Sequence, residues 1–291
     1  MNFYAKSLKN FHFHLLKQYL FKHFVNNYQI LGFRQVSSMT QNNVNSERIL
    51  VAFDFDSTLS VQSSHCLIEQ LLDKDLLGLE EINARYINHH RCWNKRMSDV
   101  FRRLYENKVS IETIIDTFRH IELSPGTLDL FHNLYTNQHH IVIISDSCDL
   151  LIEECFRKNN LLNYVHAIES NSMKNNGMGM FFIEEYEKPL QTECNILCPG
   201  NMCKGLVIQR YRNTNKYKKI IFVGDGDNDV CPALKLQHND YVFAKRNPDE
   251  KIVYPLYDLL KNSYSNQLKS QLYLWNNMND VQNILKMKNI I

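Results

Sequence analysis

Three short apolar runs recur along the chain, and each of them ends in polar residues. They occupy residues 50–53, 141–144 and 220–223, and β-branched and aromatic side chains are frequent in them. Runs of this length and composition are typical of buried strands in a parallel sheet. Helical patterns fill the gaps between the runs, and this alternation predicts an α/β fold with a doubly wound, Rossmann-like parallel sheet.

The residues that follow the three runs are acidic or carry hydroxyl groups. The first run leads into DFDST (54–58), the second into SDS (145–147) and the third into GDGDND (224–229). Because ligands bind outside the carboxyl ends of the strands in open α/β sheets, we expect these segments to converge on one crevice. The chain has only nine glycines, and two of them, Gly224 and Gly226, lie in the third segment. We interpret this as a need for backbone freedom at that turn.

The stretch between the first two predicted strands is too long for a single crossover helix. Apolar residues recur in it at helical spacing, namely Trp93, Met97, Val100, Phe101 and Leu104, then Ile111, Ile114, Ile115 and Phe118. Ser-Pro-Gly at 124–126 ends this pattern. We predict a small α-helical cap over residues 62–122 and a core domain made of residues 48–61 and 123–291. We interpret the apolar stripe as core packing rather than as a cofactor site.

Residues 1–47 form a basic N-terminal extension, in which every lysine and arginine precedes the first acidic residue, Glu47. Such a leader resembles a mitochondrial transit peptide; a poorly ordered extension and initiation at Met39 are the alternatives. Eight cysteines are too dilute for a disulfide scaffold, and the sequence shows no secretory signal. We therefore expect a cytoplasmic protein, or a mitochondrial one if the leader is a targeting signal.

Composition excludes several classes of function. The chain has 291 residues, 44% hydrophobic and 22% charged, with a net charge of +2, which is ordinary for a globular protein. Its charge is spread along the sequence, which argues against a nucleic-acid surface. No run approaches the roughly 18 apolar residues of a membrane helix. The sequence indicates no obligate protein partner, and we expect the partner to be a small molecule.

Asp54 and Asp56 form a plausible pair of nucleophile and acid/base for phosphoryl transfer. A carboxylate nucleophile forms an aspartyl phosphate, which divides a slow hydrolysis into two displacements. A phosphomonoester is close to a dianion at neutral pH, so aspartates alone would repel it and a cation is required. Mg²⁺ suits carboxylate oxygens, and we predict Asp54, Asp225 and the carboxylate or backbone carbonyl of Asp56 as its ligands. Asp229 would hold a metal-bound water, orient Asp225 or cap the following helix.

Taken together, these motifs resemble those of phosphatases in the haloacid dehalogenase superfamily. The resemblance covers residues 49 to about 280, and it is similar to the branch of pyridoxal phosphate phosphatases and phosphoethanolamine/phosphocholine phosphatases. The strings that carry the branch resemblance are LSPG (123–126), ISD (144–146), CPGNMCK (198–204) and GDGDNDVCP (224–232). They are more specific than the Asp-x-Asp motif alone.

The resemblance implies a role for each matching residue. It makes Asp54 the nucleophile and Asp56 the general acid and then the general base. It places Ser145 and Lys204 on the phosphate and Asp225 on magnesium, and we also predict Thr58 as a phosphate-binding residue. It also implies an α-helical cap between the first two motifs, in agreement with the predicted insertion.

Asp146 and His65 bear on the choice of substrate. Asp146 either caps the next helix or, as the resemblance suggests, contacts the leaving group. The branch has a second acid about eleven residues after the nucleophile, where this chain has His65. A histidine is mostly neutral at pH 7 and would not attract a cationic headgroup. This departure favours pyridoxal 5'-phosphate over phosphoethanolamine and phosphocholine.

Cys194, Cys198 and Cys203 resemble a cysteine cluster of the same branch, with a first spacing that is one residue longer. Three thiols bind zinc only with a fourth ligand, and the sequence shows no matching one. We therefore interpret them as ordinary thiols near the phosphate-binding lysine.

Three functions from different classes follow from these motifs. The favoured one is a magnesium-dependent phosphatase that acts on a small phosphomonoester. A phosphoryl-accepting signalling module is disfavoured because Asp56 supplies the acid/base that such a module lacks. A catalytically silent phospholigand-binding protein is disfavoured because no expected catalytic position is lost. Pyrophosphate and thiamine phosphate stay open as substrates, since the core motifs recognise only the phosphoryl group.

Overall fold

The computed structural model describes residues 48–86, 93–192, 194, 196, 198–214, 217–247 and 254–291. The predictions for residues 1–47, including the transit peptide and its consequence for localisation, lie outside these residues. Within the described part of the chain, no helix has both the length and the apolar character needed to cross a membrane.

A seven-stranded sheet with strand order β4-β3-β2-β1-β5-β6-β7 forms the centre of the fold. The strands are β1 (Ile49–Phe53), β2 (His140–Cys148), β3 (Val165–Asn175), β4 (Phe181–Glu184), β5 (Lys219–Gly224), β6 (Tyr241–Lys245) and β7 (Gln271–Trp275). Every neighbouring pair is parallel except β3 and β4. The three predicted apolar runs are the three central strands, which confirms the predicted α/β sheet.

The central strands are apolar on both faces because helices cover both sides of the sheet. All five residues of β1 are buried. Leu50 and Ala52 belong to one apolar cluster, whereas Val51 and Phe53 belong to another. Successive side chains of a strand point to opposite faces, so β1 anchors the core on each side of the sheet.

Helices connect the strands and flank the sheet. In chain order they are α1 (Ser64–Gln70), α2 (Leu76–Tyr86), α3 (Trp93–Glu106), α4 (Ile111–Arg119), α5 (Thr127–Thr136), α6 (Asp149–Lys158), α7 (Lys204–Thr214), α8 (Val230–Leu234), α9 (Leu256–Asp258) and α10 (Met278–Met287). Short single-turn segments at Phe55–Leu59 and Asp227–Asp229 follow β1 and β5.

The helical insertion expected after the first strand consists of α1 to α4. The chain leaves the core and returns to it side by side, since the Val61 N–H donates to the Glu122 carbonyl at 2.9 Å and the Ser124 N–H to the Leu59 carbonyl at 2.7 Å. The predicted apolar stripe is buried except for Trp93 and Ile111, which are partly buried, and the Phe101 ring lies 6.0 Å from that of Phe181 on β4. The domain boundaries at residues 62 and 122 stay a prediction.

Candidate active site

The carboxyl ends of β1 and β5 bring three aspartates together. Asp54 follows β1, and Asp225 and Asp229 follow β5, which is the parallel neighbour of β1. Their carboxylate oxygens lie within 4.8 Å of one another and all three residues are buried. We call Asp54, Asp225 and Asp229 the acidic cluster. The crevice expected at the strand ends thus contains three carboxyl groups close to one another.

Lys204 joins two members of the acidic cluster. It begins α7, and its side chain is buried. Its Nζ lies 2.8 Å from Asp54 Oδ2 and 2.7 Å from Asp229 Oδ1. Burial alone would lower the pKa of Lys204, but the neighbouring charges of Asp229 and Asp54 raise it above its usual value. The lysine therefore stays protonated and offers a fixed positive charge beside Asp54.

Asp54 and Asp56 have different surroundings, although one residue separates them. The Phe55 N–H donates to Asp54 Oδ1 at 2.7 Å, whereas the Ser64 N–H at the start of α1 donates to Asp56 Oδ1 at 2.6 Å. Burial raises the pKa of both carboxyl groups; Lys204 opposes the shift at Asp54, and the hydrogen bonds from Ser64 oppose it at Asp56. The two carboxyl groups are thus held by different neighbours, and their assignment as nucleophile and general acid stays a prediction.

Asp229 organises the loop after β5. Its Oδ2 accepts hydrogen bonds from the N–H groups of Asp225 at 2.9 Å and Gly226 at 3.0 Å, and its Oδ1 faces Lys204. Thr58 donates its hydroxyl hydrogen to Asp225 Oδ1 at 2.8 Å. Burial, together with the charge of Asp229, raises the pKa of Asp225 to about 7. Both oxygens of Asp229 are therefore already engaged by the protein.

The two glycines of this loop are needed for a reason other than the expected one. Neither Gly224 nor Gly226 has a positive φ, so the interpretation as backbone freedom is wrong. A Cβ atom at Gly224 would lie 2.3 Å from Asp229 Oδ2, and one at Gly226 would lie 2.8 Å from Asn228 Oδ1. Glycine is required here because the side chains of the loop approach the backbone closely.

Of the remaining predicted residues, Ser145 and Asp146 lie in β2 and His65 lies on α1. Ser145 is buried within β2, which continues to Cys148, and its Oγ accepts a hydrogen bond from the Ser147 N–H at 3.2 Å. Asp146 Oδ2 accepts from Asn228 Nδ2 at 3.0 Å, and its Oδ1 is buried without a hydrogen-bond partner among the described residues. Burial raises the pKa of Asp146. His65 is partly buried on α1, and its charge when protonated lowers the pKa of Asp56.

Two buried residues near the site were not anticipated. Asn171, on β3, accepts hydrogen bonds from Asn94 at 3.0 Å and Asn201 at 3.2 Å, so it links the helical insertion to the loop before Lys204. Lys245, at the end of β6, donates a hydrogen bond to the Ser57 carbonyl. Lys245 follows the same rule as the predicted residues because it ends a strand, whereas Asn171 lies within β3.

The structure also supplies the fourth thiol that the sequence did not show. Cys194, Cys198 and Cys203 lie with Cys231 of α8, and the four Sγ atoms are within 4.8 Å of one another. We call these four residues the cysteine cluster. Sequence spacing did not associate Cys231 with the other three cysteines, because it lies far along the chain in the motif that follows β5.

Comparisons with known proteins agree with this geometry. Residues 49–289 match the family described as "Putative Phosphatase". The chain is 26% identical over 254 residues to inorganic pyrophosphatase 2 of Arabidopsis thaliana, with 85% of this chain and 84% of that protein covered. It is 27% identical over 206 residues to human pyridoxal phosphate phosphatase PHOSPHO2 (68% and 83% covered) and 26% identical over 245 residues to human phosphoethanolamine/phosphocholine phosphatase (81% and 87% covered).

The fold is also similar to that of phosphoserine phosphatase. The apo crystal structure of that enzyme matches with a TM-score of 0.53 and 15% identity, over 81% of this chain and 98% of the other. The sheet, the strand-end aspartates and the family match together identify the chain as a member of this phosphatase family within the haloacid dehalogenase superfamily, and thus as a phosphoric monoester hydrolase.

Proposed function

We propose that this phosphatase hydrolyses a small phosphomonoester through an aspartyl phosphate on Asp54, with Mg²⁺ as cofactor. The observation that carries the proposal is the position of Lys204, whose buried ammonium group holds Asp54 at 2.8 Å beside Asp225 and Asp229. A buried carboxylate at a strand end, fixed next to a positive charge, is arranged for attack on an anionic phosphoryl group.

The two displacements balance with the residues present. An Asp54 oxygen bonds to phosphorus while the bond to the leaving-group oxygen breaks, and protonated Asp56 gives that oxygen its proton. Asp56 then takes a proton from water as the water oxygen bonds to phosphorus, which releases phosphate and regenerates the Asp54 carboxylate. The hydrogen bond of 2.6 Å from the Ser64 N–H to Asp56 Oδ1 would hold the Asp56 carboxyl group in place in both steps.

The acidic cluster fits a magnesium ion. Three buried carboxylates share this site with one buried lysine, so Lys204 alone does not balance their charge. Oxygen donors of this kind are the ligands that Mg²⁺ prefers. Asp54, Asp225 and the backbone carbonyl of Asp56 would hold the ion, which when bound supplies positive charge to the transferring phosphoryl group. Because both oxygens of Asp229 are engaged, we assign this residue to positioning Asp225 and Lys204.

The remaining phosphoryl oxygens face Ser145 and Lys204. Ser145 is buried in the C-terminal half of β2, the neighbour of β1 on the side opposite β5. The Thr58 hydroxyl is bonded to Asp225, so in this proposal it fixes the metal ligand as well as bordering the phosphate.

Pyridoxal 5'-phosphate is the substrate that we favour. The partly buried His65 replaces the acid that would attract a quaternary ammonium group, and a relative named for activity on pyridoxal phosphate is 27% identical. Phosphoethanolamine is the second candidate, because the buried Asp146 Oδ1, which has no hydrogen-bond partner among the described residues, would accept hydrogen bonds from a primary ammonium group.

The test is phosphate release by the full chain in Mg²⁺ or EDTA. The panel contains pyridoxal 5'-phosphate, phosphoethanolamine, phosphocholine, thiamine phosphate and pyrophosphate. We expect magnesium-dependent release, fastest from pyridoxal 5'-phosphate, that falls by about 10⁴-fold or more in Asp54→Asn. Asp116→Asn makes the same change at an exposed position of α4 and is expected to retain full activity. Equal activity of Asp54→Asn and Asp116→Asn would contradict the proposed nucleophile.

A further inference from the structure

The cysteine cluster has the dimensions of a tetrahedral metal site. Cys194 Sγ and Cys203 Sγ each lie 3.6 Å from Cys231 Sγ, and all four sulfurs lie within 4.8 Å of one another. Four thiolates at the usual zinc–sulfur distance of about 2.3 Å are about 3.8 Å apart along the edges of a tetrahedron. The observed separations are much longer than the roughly 2.05 Å of a disulfide bond.

The surroundings of the cluster are those of a closed site. Cys198, Cys203 and Cys231 are at most 3% exposed, and Cys194 is partly buried. The ligand atoms are all sulfur, which favours zinc over the oxygen-binding magnesium ion. A Cβ atom at Gly205 would lie 2.4 Å from Cys231 Sγ, so the glycine leaves the space that the fourth thiol occupies.

We propose that Cys194, Cys198, Cys203 and Cys231 bind one structural Zn²⁺ ion. Four protein ligands complete a tetrahedral shell and leave no open position for a substrate or a water nucleophile. The thiols lose their protons to solvent when the ion binds, and no oxidation or reduction takes place.

The zinc site is connected to the catalytic site by residues that are close in sequence. Cys203 directly precedes Lys204, and Cys231 follows Asp229 by two residues. These two neighbours form the ion pair of 2.7 Å that lies beside Asp54. A zinc ion that joins Cys203 to Cys231 of α8 therefore fixes the two segments to which Lys204 and Asp229 belong.

The test uses the untagged full chain, purified without chelators. We expect about one zinc per chain by elemental analysis and a shell of four sulfurs at about 2.3 Å by X-ray absorption at the zinc edge. Cys231→Ser is expected to lose at least half of the bound zinc. Cys155→Ser changes a buried thiol outside the cluster, on α6, and is expected to keep the full equivalent.

A second measurement covers the case in which Cys231→Ser does not fold. The wild-type chain produced with Co²⁺ in place of zinc is expected to show the sulfur-to-metal charge-transfer bands and strong visible bands of a tetrahedral thiolate site. Wild-type protein that carries no zinc, carries iron instead, or shows oxygen and nitrogen ligands at the zinc edge would overturn the proposal. Neither measurement depends on phosphatase activity, so the zinc proposal is tested separately from the proposed function.

Discussion

The acidic cluster and the cysteine cluster differ in chemistry but are linked along the chain, because Asp229 lies two residues before Cys231 and Lys204, which contacts the acidic cluster, follows Cys203. Lys204 and Asp229 form an ion pair beside Asp54, while their neighbours Cys203 and Cys231 belong to the cysteine cluster. In our proposals, the acidic cluster carries the phosphoryl-transfer reaction and the cysteine cluster binds the zinc ion that holds these segments together. In this account, the positions of the catalytic residues depend on both clusters, although the cysteine cluster does not contact the substrate.

Removal of the shared lysine is expected to have the largest effect on the acidic cluster. Lys204→Met leaves Asp54 and Asp229 buried beside each other without their cation, which typically costs about 3–5 kcal/mol of unfolding free energy. We expect this loss in urea unfolding measured in EDTA, together with loss of activity in Mg²⁺. The zinc content of the folded variant is expected to be unchanged.

Lys158→Met, at an exposed position of α6, is the matched control for that variant. A Lys204→Met protein as stable as this control would contradict the role of Lys204 as the counter-charge of the cluster.

Two glycines allow each cluster to be disturbed separately. Gly224→Ala places a methyl group 2.3 Å from Asp229 Oδ2, and Gly205→Ala places one 2.4 Å from Cys231 Sγ. Each overpacked variant is expected to lose about 1–3 kcal/mol of unfolding free energy. Gly224→Ala is expected to lose activity and keep its zinc, whereas Gly205→Ala is expected to lose zinc.

Gly200→Ala is the control, because its Cβ atom would have nothing closer than 3.7 Å. Activity and zinc content measured on the three proteins test the separation. If Gly224→Ala released the zinc as readily as Gly205→Ala, the two clusters would form one mechanical unit.

The smallest expected effect concerns a histidine at the opposite edge of the sheet and the pH dependence of the unfolding free energy. His140 starts β2, its ring stacks on His166 at 3.8 Å, and Arg48 donates a hydrogen bond to its Nε2 at 3.0 Å. Burial, followed by the charge of His166, lowers the pKa of His140 to about 3.

Because His140 titrates near 6.5 when unfolded, the unfolded chain binds more protons between about pH 3 and 6.5. The contribution of His140 to the unfolding free energy is therefore expected to fall as the pH drops through this range and to be constant above it. In His140→Gln, denaturant titrations at several pH values are expected to show a shallower slope. A slope equal to that of the wild type would assign the pH dependence to other groups.

The sequence predicts the centre of this molecule well because parallel strands leave a strong pattern. The runs at residues 50–53, 141–144 and 220–223 are buried on both faces, so apolar residues occupy every position. The same topology rule brings Asp54, Ser145 and Asp225 to one edge of the sheet. Outer strands such as β3, in which His166 and Glu169 interrupt the apolar residues, give no comparable signal.

The parts that escaped prediction depend on how loops fold back. Cys231 could not be paired with Cys203 from spacing, because the pairing follows from the contact of α7 with α8. Asn171 joins segments from three regions of the chain, and no local pattern marks such a residue. The requirement for Gly224 was found, but its cause, the carboxylate of Asp229 against the backbone, is visible only in three dimensions.

The most direct test of the central claim is to trap the phosphoryl group on the enzyme. Full-length protein that is turning over pyridoxal 5'-phosphate in Mg²⁺ would be quenched and treated with borohydride, which reduces an aspartyl phosphate to homoserine. We predict homoserine at position 54 by peptide mass spectrometry, and none in untreated protein or in Asp54→Asn. Turnover with no modification at Asp54, or with the phosphoryl group on another residue, would contradict the account.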